Sequence, residues 1–364
     1  MSSMFRPNGG AFLIAEAGVN HNGDIEKALA LIDIAADAGA DAVKFQTFVP
    51  EEVISRSAPK AEYQMRTTGE TESQLAMVRK LRLSDDEHHR LVARCAQRGI
   101  RFLSTPFDLP SLAFLVNDIG VDALKIPSGD LTNAPLLLAA AHSNRPLIVS
   151  TGMATLDDVR EALGVFAHGF LGRGVPSRQA FDAAFASAEG KAVLKQKVSL
   201  LHCTTEYPAP YADVNLRAMD TLAETFGLAV GLSDHTPGIA VAIAAVARGA
   251  VIIEKHFTLD RNLPGPDHAA SLTPDEVRAL VREVRHVEQA MGSPVKAPAP
   301  SEIKNMAIAR KSLVARRNIR AGEVFAVDMV TAKRPGNGVS PMRMWEVLGT
   351  KARRDYAADE QIDG

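Results

Sequence analysis

The run Val251-Ile252-Ile253-Glu254-Lys255-His256-Phe257-Thr258-Leu259-Asp260 decides how this chain is read. Its β-branched start reads as a buried strand, and its end carries ionisable groups. Glu254 and His256 are two apart, so on a strand they share a face. Earlier in the chain, Gly231-Leu232-Ser233-Asp234-His235 ends another apolar run in the same way. Neighbouring parallel strands lie roughly 4.8 Å apart, which would bring His235 and His256 within reach of one metal ion. The expectation is a barrel enzyme with a two-histidine metal site.

Working outward, short apolar runs alternate with longer amphipathic ones. Strands are expected at residues 12–16, 42–46, 101–105, 123–127, 147–151, 198–203, 229–233 and 251–256. Helical spacing fills 25–38, 85–97, 111–118, 134–142, 156–167, 216–226, 239–248 and 274–291. This alternation matches an α/β fold, a TIM (β/α)8 barrel of about 250 residues. A doubly wound open sheet fits less well, because ionisable residues end most of the strands and do not cluster at one switch point. Two insertions stand out. Residues 48–83 separate strand 2 from its helix and are expected to form a flap over the barrel mouth. Residues 169–196 contain an Ala-rich stretch, 179–188, that reads as an extra helix with no assigned function. The segment Pro294-Val295-Lys296-Ala297-Pro298-Ala299-Pro300 reads as an extended linker. The expected domains are a barrel over 1–292, a Pro-rich linker over 293–304 and a compact C-terminal block over 305–364. So small a block buries little surface and is expected to dock on a barrel.

Composition narrows the partners. A formal net charge of −2 gives no electrostatic case for nucleic acid or acidic lipid. A hydrophobic content of 46% with 23% charged residues is that of an ordinary globular protein. Two cysteines, Cys95 and Cys203, make neither a disulfide framework nor a zinc cluster, and a reducing cytoplasm is expected. Residues 1–10 lack an apolar signal core, no apolar run reaches membrane-span length, and the tail is expected to be loose as far as Asn8.

Barrel enzymes build their sites at the C-terminal strand ends. Here those positions hold Glu16, Lys44, Gln46, Thr105, Lys125, Ser128, Asp130, Ser233, His235, Glu254 and His256. A lone strand lysine such as Lys125 is more often a snorkelling edge residue. Lys44 and Lys125, converging with the hydroxyls of Thr105, Ser128 and Ser233, would instead hold a phosphate or carboxylate. Each histidine alone could be structural. Together they favour a metal whose identity imidazole leaves open, with positions free for water and substrate. Asp234 is expected as a carboxylate behind the metal site. Asn22-Gly23 reads as a turn and helix cap, while Asn20 and His21 stay undecided.

With these residues placed, the chain resembles the sialic acid synthase family, which condenses phosphoenolpyruvate with amino sugars to nonulosonic acids. The matching segments run the length of the chain. They include Ala15-Glu16-Ala17-Gly18-Val19-Asn20-His21-Asn22-Gly23, Val43-Lys44-Phe45-Gln46-Thr47, Ser104-Thr105-Pro106-Phe107-Asp108, Lys125-Ile126-Pro127-Ser128-Gly129 and Ser150-Thr151-Gly152-Met153-Ala154. Later come His202-Cys203-Thr204-Thr205-Glu206-Tyr207-Pro208, Gly231-Leu232-Ser233-Asp234-His235, Glu254-Lys255-His256-Phe257-Thr258, Gly265-Pro266-Asp267 and Lys333-Arg334-Pro335-Gly336-Asn337-Gly338.

The resemblance implies a TIM barrel followed by a small antifreeze-like SAF (β-clip) domain, in a homodimer whose SAF domains are swapped. It implies Mn2+, or another divalent cation such as Mg2+ or Co2+, on His235 and His256. Lys44, Thr105, Lys125, Ser128, Thr205 and Ser233 then form the phosphoenolpyruvate site. Glu16 and Asp130 are the catalytic carboxylates. Gln46, Tyr207, Asp267 and a partner-donated Arg334 meet the sugar. Asp130 stands where many members have Glu, Thr205 where some have Asn, and residues 169–196 have no counterpart in compact members. The implied reaction is condensation of phosphoenolpyruvate with N-acetylmannosamine to N-acetylneuraminate and phosphate, with C–O cleavage and no organic cofactor. Legionaminate synthesis from a 2,4-diacetamido-2,4,6-trideoxymannose is the alternative. More distant rivals are a Schiff-base aldolase using Lys125 and a non-enzymatic saccharide- or ice-binding protein built on the C-terminal block.

Overall fold

Strand parity organises the molecule, which is a computed structural model describing residues 9–69 and 72–363. The tail through Asn8 lies outside the described residues. The chain divides into two compact units, 1–292 and 293–364.

In the first unit, strands and helices alternate. They are β1 Phe12–Gly18, α1 Ile25–Ala38, β2 Ala42–Thr47, three short helices α2 Pro50–Val53, α3 Glu62–Thr68 and α4 Gln74–Arg79, then α5 Asp85–Arg98 and β3 Arg101–Pro106. Next come α6 Leu109–Phe114 with a π-turn at Leu115–Ile119, β4 Leu124–Ile126, α7 Ala134–His142, β5 Leu147–Ser150 and α8 Leu156–Leu171. The inserted pair α9 Arg178–Ala186 and α10 Ala188–Lys197 precedes β6 Val198–Cys203. The unit closes with α11 Ala218–Phe226, β7 Ala229–Asp234, α12 Ala240–Ala247, β8 Ile252–His256 and α13 Pro274–Ala290. The eight strands form one sheet in the order β3-β2-β1-β8-β7-β6-β5-β4, with every ladder parallel. β3 and β4 pack side by side at the remaining seam. This is the TIM barrel the alternation implies.

Successive side chains of a strand point to opposite faces. In β1, Leu13, Ala15 and Ala17 pack outward into the large core between strands and helices. Phe12 and Ile14 point inward, where they meet Ala42, Leu103, Ala123, Ile148, Leu201 and Ile252 in a second apolar cluster. Two residues further along each of these inward rows come Glu16, Lys44, Thr105, Lys125, Ser150, Cys203 and Glu254. The barrel is therefore plugged with hydrocarbon at one end and lined with polar groups at the other. Gly231 marks one close approach, since a Cβ there would meet the Ile252 carbonyl at 2.2 Å. That lets β7 and β8 draw together beneath the two histidines.

Side-chain caps set where helices start. Asp24 caps α1 by accepting from the Glu26 and Lys27 N–H groups, while Ser84 with Glu87 and Thr273 with Glu276 close capping boxes on α5 and α13. Both insertions take up helix. Residues 48–83 carry α2 to α4, and residues 169–196 carry α9 and α10, one helix more than the Ala-rich stretch suggests. The latter pair packs on α8, with Phe181 edge-on to His168 at 5.2 Å.

In the second unit, residues 293–299 run without regular structure, and α14 begins at Pro300 (Pro300–Ala309). The linker thus gives way to helix before residue 304, because proline at the first helical position loses no hydrogen bond. β9 Ser312–Ala315 and β10 Val330–Lys333 pair antiparallel. Isolated bridges Val314–Gln361, Ile319–Tyr356 and Val324–Lys351 fold the rest around a core that includes Leu313, Ile319, Phe325, Val330 and Tyr356. No helix among the described residues is long and apolar enough to cross a membrane.

Candidate active site

A cavity of about 650 Å³ opens at the polar end of the barrel. Its lining includes Glu16, Lys44, Gln46, Thr105, Lys125, Ser128, Thr205, Tyr207, Ser233, His235, His256 and Asp267. Residues far apart in sequence converge because each occupies the same level on its own strand or the loop after it. One wall is different. The flap expected at 48–83 lines it with apolar Phe48, Val53, Met77, Val78 and Leu81 and with polar Glu62, Gln64 and Gln74.

Charge is paired at the cavity floor. Lys44 Nζ lies 2.6 Å from Glu16 Oε2 and 3.6 Å from Glu254 Oε2, and donates to Thr105 Oγ1 at 2.9 Å. Lys125 Nζ lies 3.4 Å from Glu254 Oε1, which also accepts from the Ser233 hydroxyl at 2.9 Å. The two carboxyls are tuned apart. Burial pushes Glu254 up, but Lys125 and Lys44 outweigh it and hold the group at about 2. For Glu16 burial wins over Lys44, and the carboxyl is pushed up to about 7. Such a divergence marks one fixed anion and one group that exchanges a proton near neutrality. Burial also depresses Lys44, but Glu16 and Glu254 more than restore it, keeping the ammonium charged. Lys125 is lowered by burial, with Glu254 opposing.

His235 and His256 face each other with ring centroids 5.4 Å apart. His235 Nδ1 donates to the Thr204 carbonyl at 2.7 Å; burial lowers the ring's pKa, but Cys203 beside it outweighs burial and raises it above the ordinary value. Burial, reinforced by His235, holds His256 neutral, and its Nδ1 is buried without a hydrogen-bond partner among the described residues. Two facing imidazoles, one held neutral and the other oriented by a carbonyl, would suit a divalent ion, whose binding would displace any proton on His235. Among the described residues no third His, Cys, Asp or Glu completes a metal-ligating cluster. Water and substrate would fill the remaining positions. Asp267 Oδ2 is 4.0 Å from His256 Nδ1, and burial pushes its carboxyl up to about 6. Tyr207 stacks on His235 at 4.1 Å.

The Ser128 and Thr205 hydroxyls flank Gly152, whose N–H donates to Ser128 Oγ at 2.9 Å. A Cβ on Gly152 would land 2.3 Å from Thr205 Oγ1, so only glycine leaves this cradle open. Thr205 Oγ1 and Ser150 Oγ are buried without a partner among the described residues, as donors awaiting an anion are.

Two further expected site residues have local partners. Asp130 ends a 3-10 turn, Ser128–Asp130, and accepts from Asn133 Nδ2 at 2.9 Å; it is not part of the cavity lining. Arg334 belongs to the second unit, where its Nε donates to the Ala309 carbonyl at 3.0 Å. Asp234, expected behind the metal ligands, points outward to Lys255; the group that orients His235 is the Thr204 carbonyl. Asn20 donates to the Phe257 carbonyl and to Ser271 Oγ and so fastens loops, while His21 Nδ1 accepts from the Gly23 N–H. Glu254 was given no role from the sequence, although its shared face with His256 was the available signal.

Comparison with known proteins bears on this geometry. The NeuB family model matches residues 31–296, and a SAF domain model matches residues 310–364. The chain belongs to the NeuB family. An N,N'-diacetyllegionaminic acid synthase of Campylobacter jejuni subsp. jejuni is 49% identical, with 96% of this chain and 98% of that protein covered. The protein of the same name from Legionella pneumophila is 42% identical, covering 95% and 92%. Human N-acetylneuraminate-9-phosphate synthase is 33% identical, covering 96% and 91%. The crystal structure of N-acetylneuraminic acid (sialic acid) synthetase from Leptospira borgpetersenii in complex with citrate aligns with a TM-score of 0.66 at 35% identity, covering 82% of this chain and 91% of that one. The fold is thus a TIM barrel followed by a SAF domain.

Proposed function

We propose that this NeuB-family chain is a nonulosonic acid synthase that joins phosphoenolpyruvate to a 2,4-diacetamido-2,4,6-trideoxymannose-type aldehyde. It is a carbon–carbon bond-forming enzyme. The observation that carries the reading is the convergence of two buried lysines, two facing histidines and the Glu16 carboxyl in one cavity. The sequence alone puts N-acetylmannosamine first. The relatives at 49% and 42% identity, both named for diacetyllegionaminic acid, favour the substrate with an extra acetamido group and a deoxy carbon.

Lys44 and Lys125, with the hydroxyls of Thr105, Ser128, Thr205 and Ser233, hold the phosphate and carboxylate of phosphoenolpyruvate and orient its methylene carbon. His235 and His256 would hold a divalent ion such as Mn2+, which would supply Lewis acidity for the aldehyde. The methylene carbon forms the new bond to the aldehyde carbon, and positive charge develops at the phosphate-bearing carbon. Ionised Glu16 faces that charge and takes a proton from the water that adds there. The C–O bond to phosphate then breaks as the added hydroxyl gives its proton to the departing phosphate, leaving the ketone, and the proton held by Glu16 passes to the former aldehyde oxygen, which becomes the alcohol. Gln46, Tyr207 and Asp267 meet the sugar. Two copies swap SAF domains, so that Arg334 of one serves the other. The test is phosphate release with phosphoenolpyruvate, Mn2+ and a sugar panel. The diacetamido sugar should give a higher kcat/KM than N-acetylmannosamine, and the reverse order would return the assignment to N-acetylneuraminate.

A further inference from the structure

The strand ladder between β7 and β8 ends at Ser233–Glu254 and Asp234–Lys255. His235 and His256, one residue beyond, have no such rungs between them. On the inner face, Ser233 bonded to Glu254 fixes the level below the histidines. On the outer face, one lysine reaches past the end of the ladder. Lys255 Nζ donates to Asp234 Oδ2 at 2.7 Å and to the Thr236 carbonyl. Asp234 Oδ1 in turn accepts from the Thr236 N–H at 2.9 Å and the Thr236 hydroxyl at 2.8 Å. The residues on both sides of His235 are thereby tied to the neighbour of His256. Asp234, Thr236 and Lys255 are each about 2% exposed or less. Lys255 borders a small gap with Ile253, Leu272, Val277 and Val281, on the barrel face turned away from the cavity.

A buried ion pair is weak evidence for stability, because an apolar replacement of similar volume is often neutral or better. Its best-attested use is to fix registry. We infer that the Asp234–Lys255–Thr236 clasp is a positioning device that sets the spacing and orientation of the two imidazoles for a divalent cation. This rests on the metal reading above. The clasp touches neither imidazole; it acts through the backbone on either side of each. Carbonyl orientation from Thr204 fixes the rotation of the His235 ring, and the clasp fixes where that ring stands relative to His256.

The test uses full-length enzyme stripped of metal and titrated with Mn2+ alone, read by electron paramagnetic resonance. The double variant D234N/K255M removes both charges, so no unpaired charge stays buried. It should bind Mn2+ on the order of 10- to 100-fold more weakly than wild type, the range seen when groups supporting metal ligands are removed. Nitrogen coupling from one imidazole should weaken, while circular dichroism and melting temperature stay near wild type. Wild-type Mn2+ affinity and unchanged nitrogen coupling in a folded double variant would overturn the inference. If that variant does not fold, T236V removes one clasp hydrogen bond and keeps both charges. It should weaken Mn2+ several-fold, and wild-type affinity would overturn the clasp equally. Failure of the wild type itself to bind Mn2+ would overturn the metal reading, and the clasp's role with it.

Discussion

At the scale of single residues, the proposed chemistry rests on Glu16 and the histidines. Glu16→Gln keeps shape and removes the charge that faces the cationic carbon, so kcat should fall by on the order of 100-fold. Phosphoenolpyruvate affinity, measured by calorimetry, should change little, since Lys44 and Lys125 remain. A near-normal kcat would reduce Glu16 to a partner of Lys44. His21 gives a separate expectation about pH and stability. Burial, with His88 adding to it, holds His21 at about 4, below the ordinary 6.5. Between those values the unfolded chain binds a proton that the folded chain refuses. Stability from this group is therefore intact above pH 6.5 and lost as pH falls toward 4, by on the order of 3 kcal/mol. Urea melts of His21→Gln across this window should show a shallower acid loss than wild type; an identical slope would mean that other groups dominate. Residue-level legibility followed parity. Glu16, Lys44, Lys125 and the histidines were readable because strand ends have period-2 geometry. Asp130 was not, because it follows the strand in a 3-10 turn whose direction the strand does not dictate. Asp234 turns to Lys255 and Thr236 for the converse reason: adjacency to His235 in sequence puts it on the opposite face.

At the scale of elements, the strands and helices of the barrel were legible to within a few residues at their ends. Hydrophobic period and capping residues such as Ser84 and Thr273 are local signals. The start of α14 was not legible, because alternating prolines read as extended chain until Pro300 takes the first helical position. The flap tests the choice of sugar. Val53 and Val78 are among the apolar residues with which the flap lines the cavity. Val53→Ser and Val78→Ser should lower kcat/KM for the diacetamido sugar about 10-fold, the usual worth of one or two apolar groups in a pocket. The KM for phosphoenolpyruvate should not move. Equal losses for N-acetylmannosamine would place the specificity elsewhere.

At the scale of the whole molecule, the proposed dimer joins two units in one activity. The sequence made both units visible, through the barrel alternation and the proline run. Their pairing across a dimer rests on resemblance, because the interface between copies is written in no local pattern. Mixing inactive Glu16→Gln chains with inactive Arg334→Ala chains should restore activity, with subunit exchange verified by tag pull-down. Exchange without recovery would confine Arg334 to its own copy or to no catalytic role. The most direct test of the central claim follows the bridging oxygen of phosphoenolpyruvate. Phosphoenolpyruvate labelled with 18O at that position is incubated with the enzyme, Mn2+ and the diacetamido sugar, and the products are weighed by mass spectrometry. The account expects one labelled phosphate for each unlabelled nonulosonic acid formed. Label retained in the sugar acid, or no phosphate released with any N-acetylated aldehyde sugar, would contradict it.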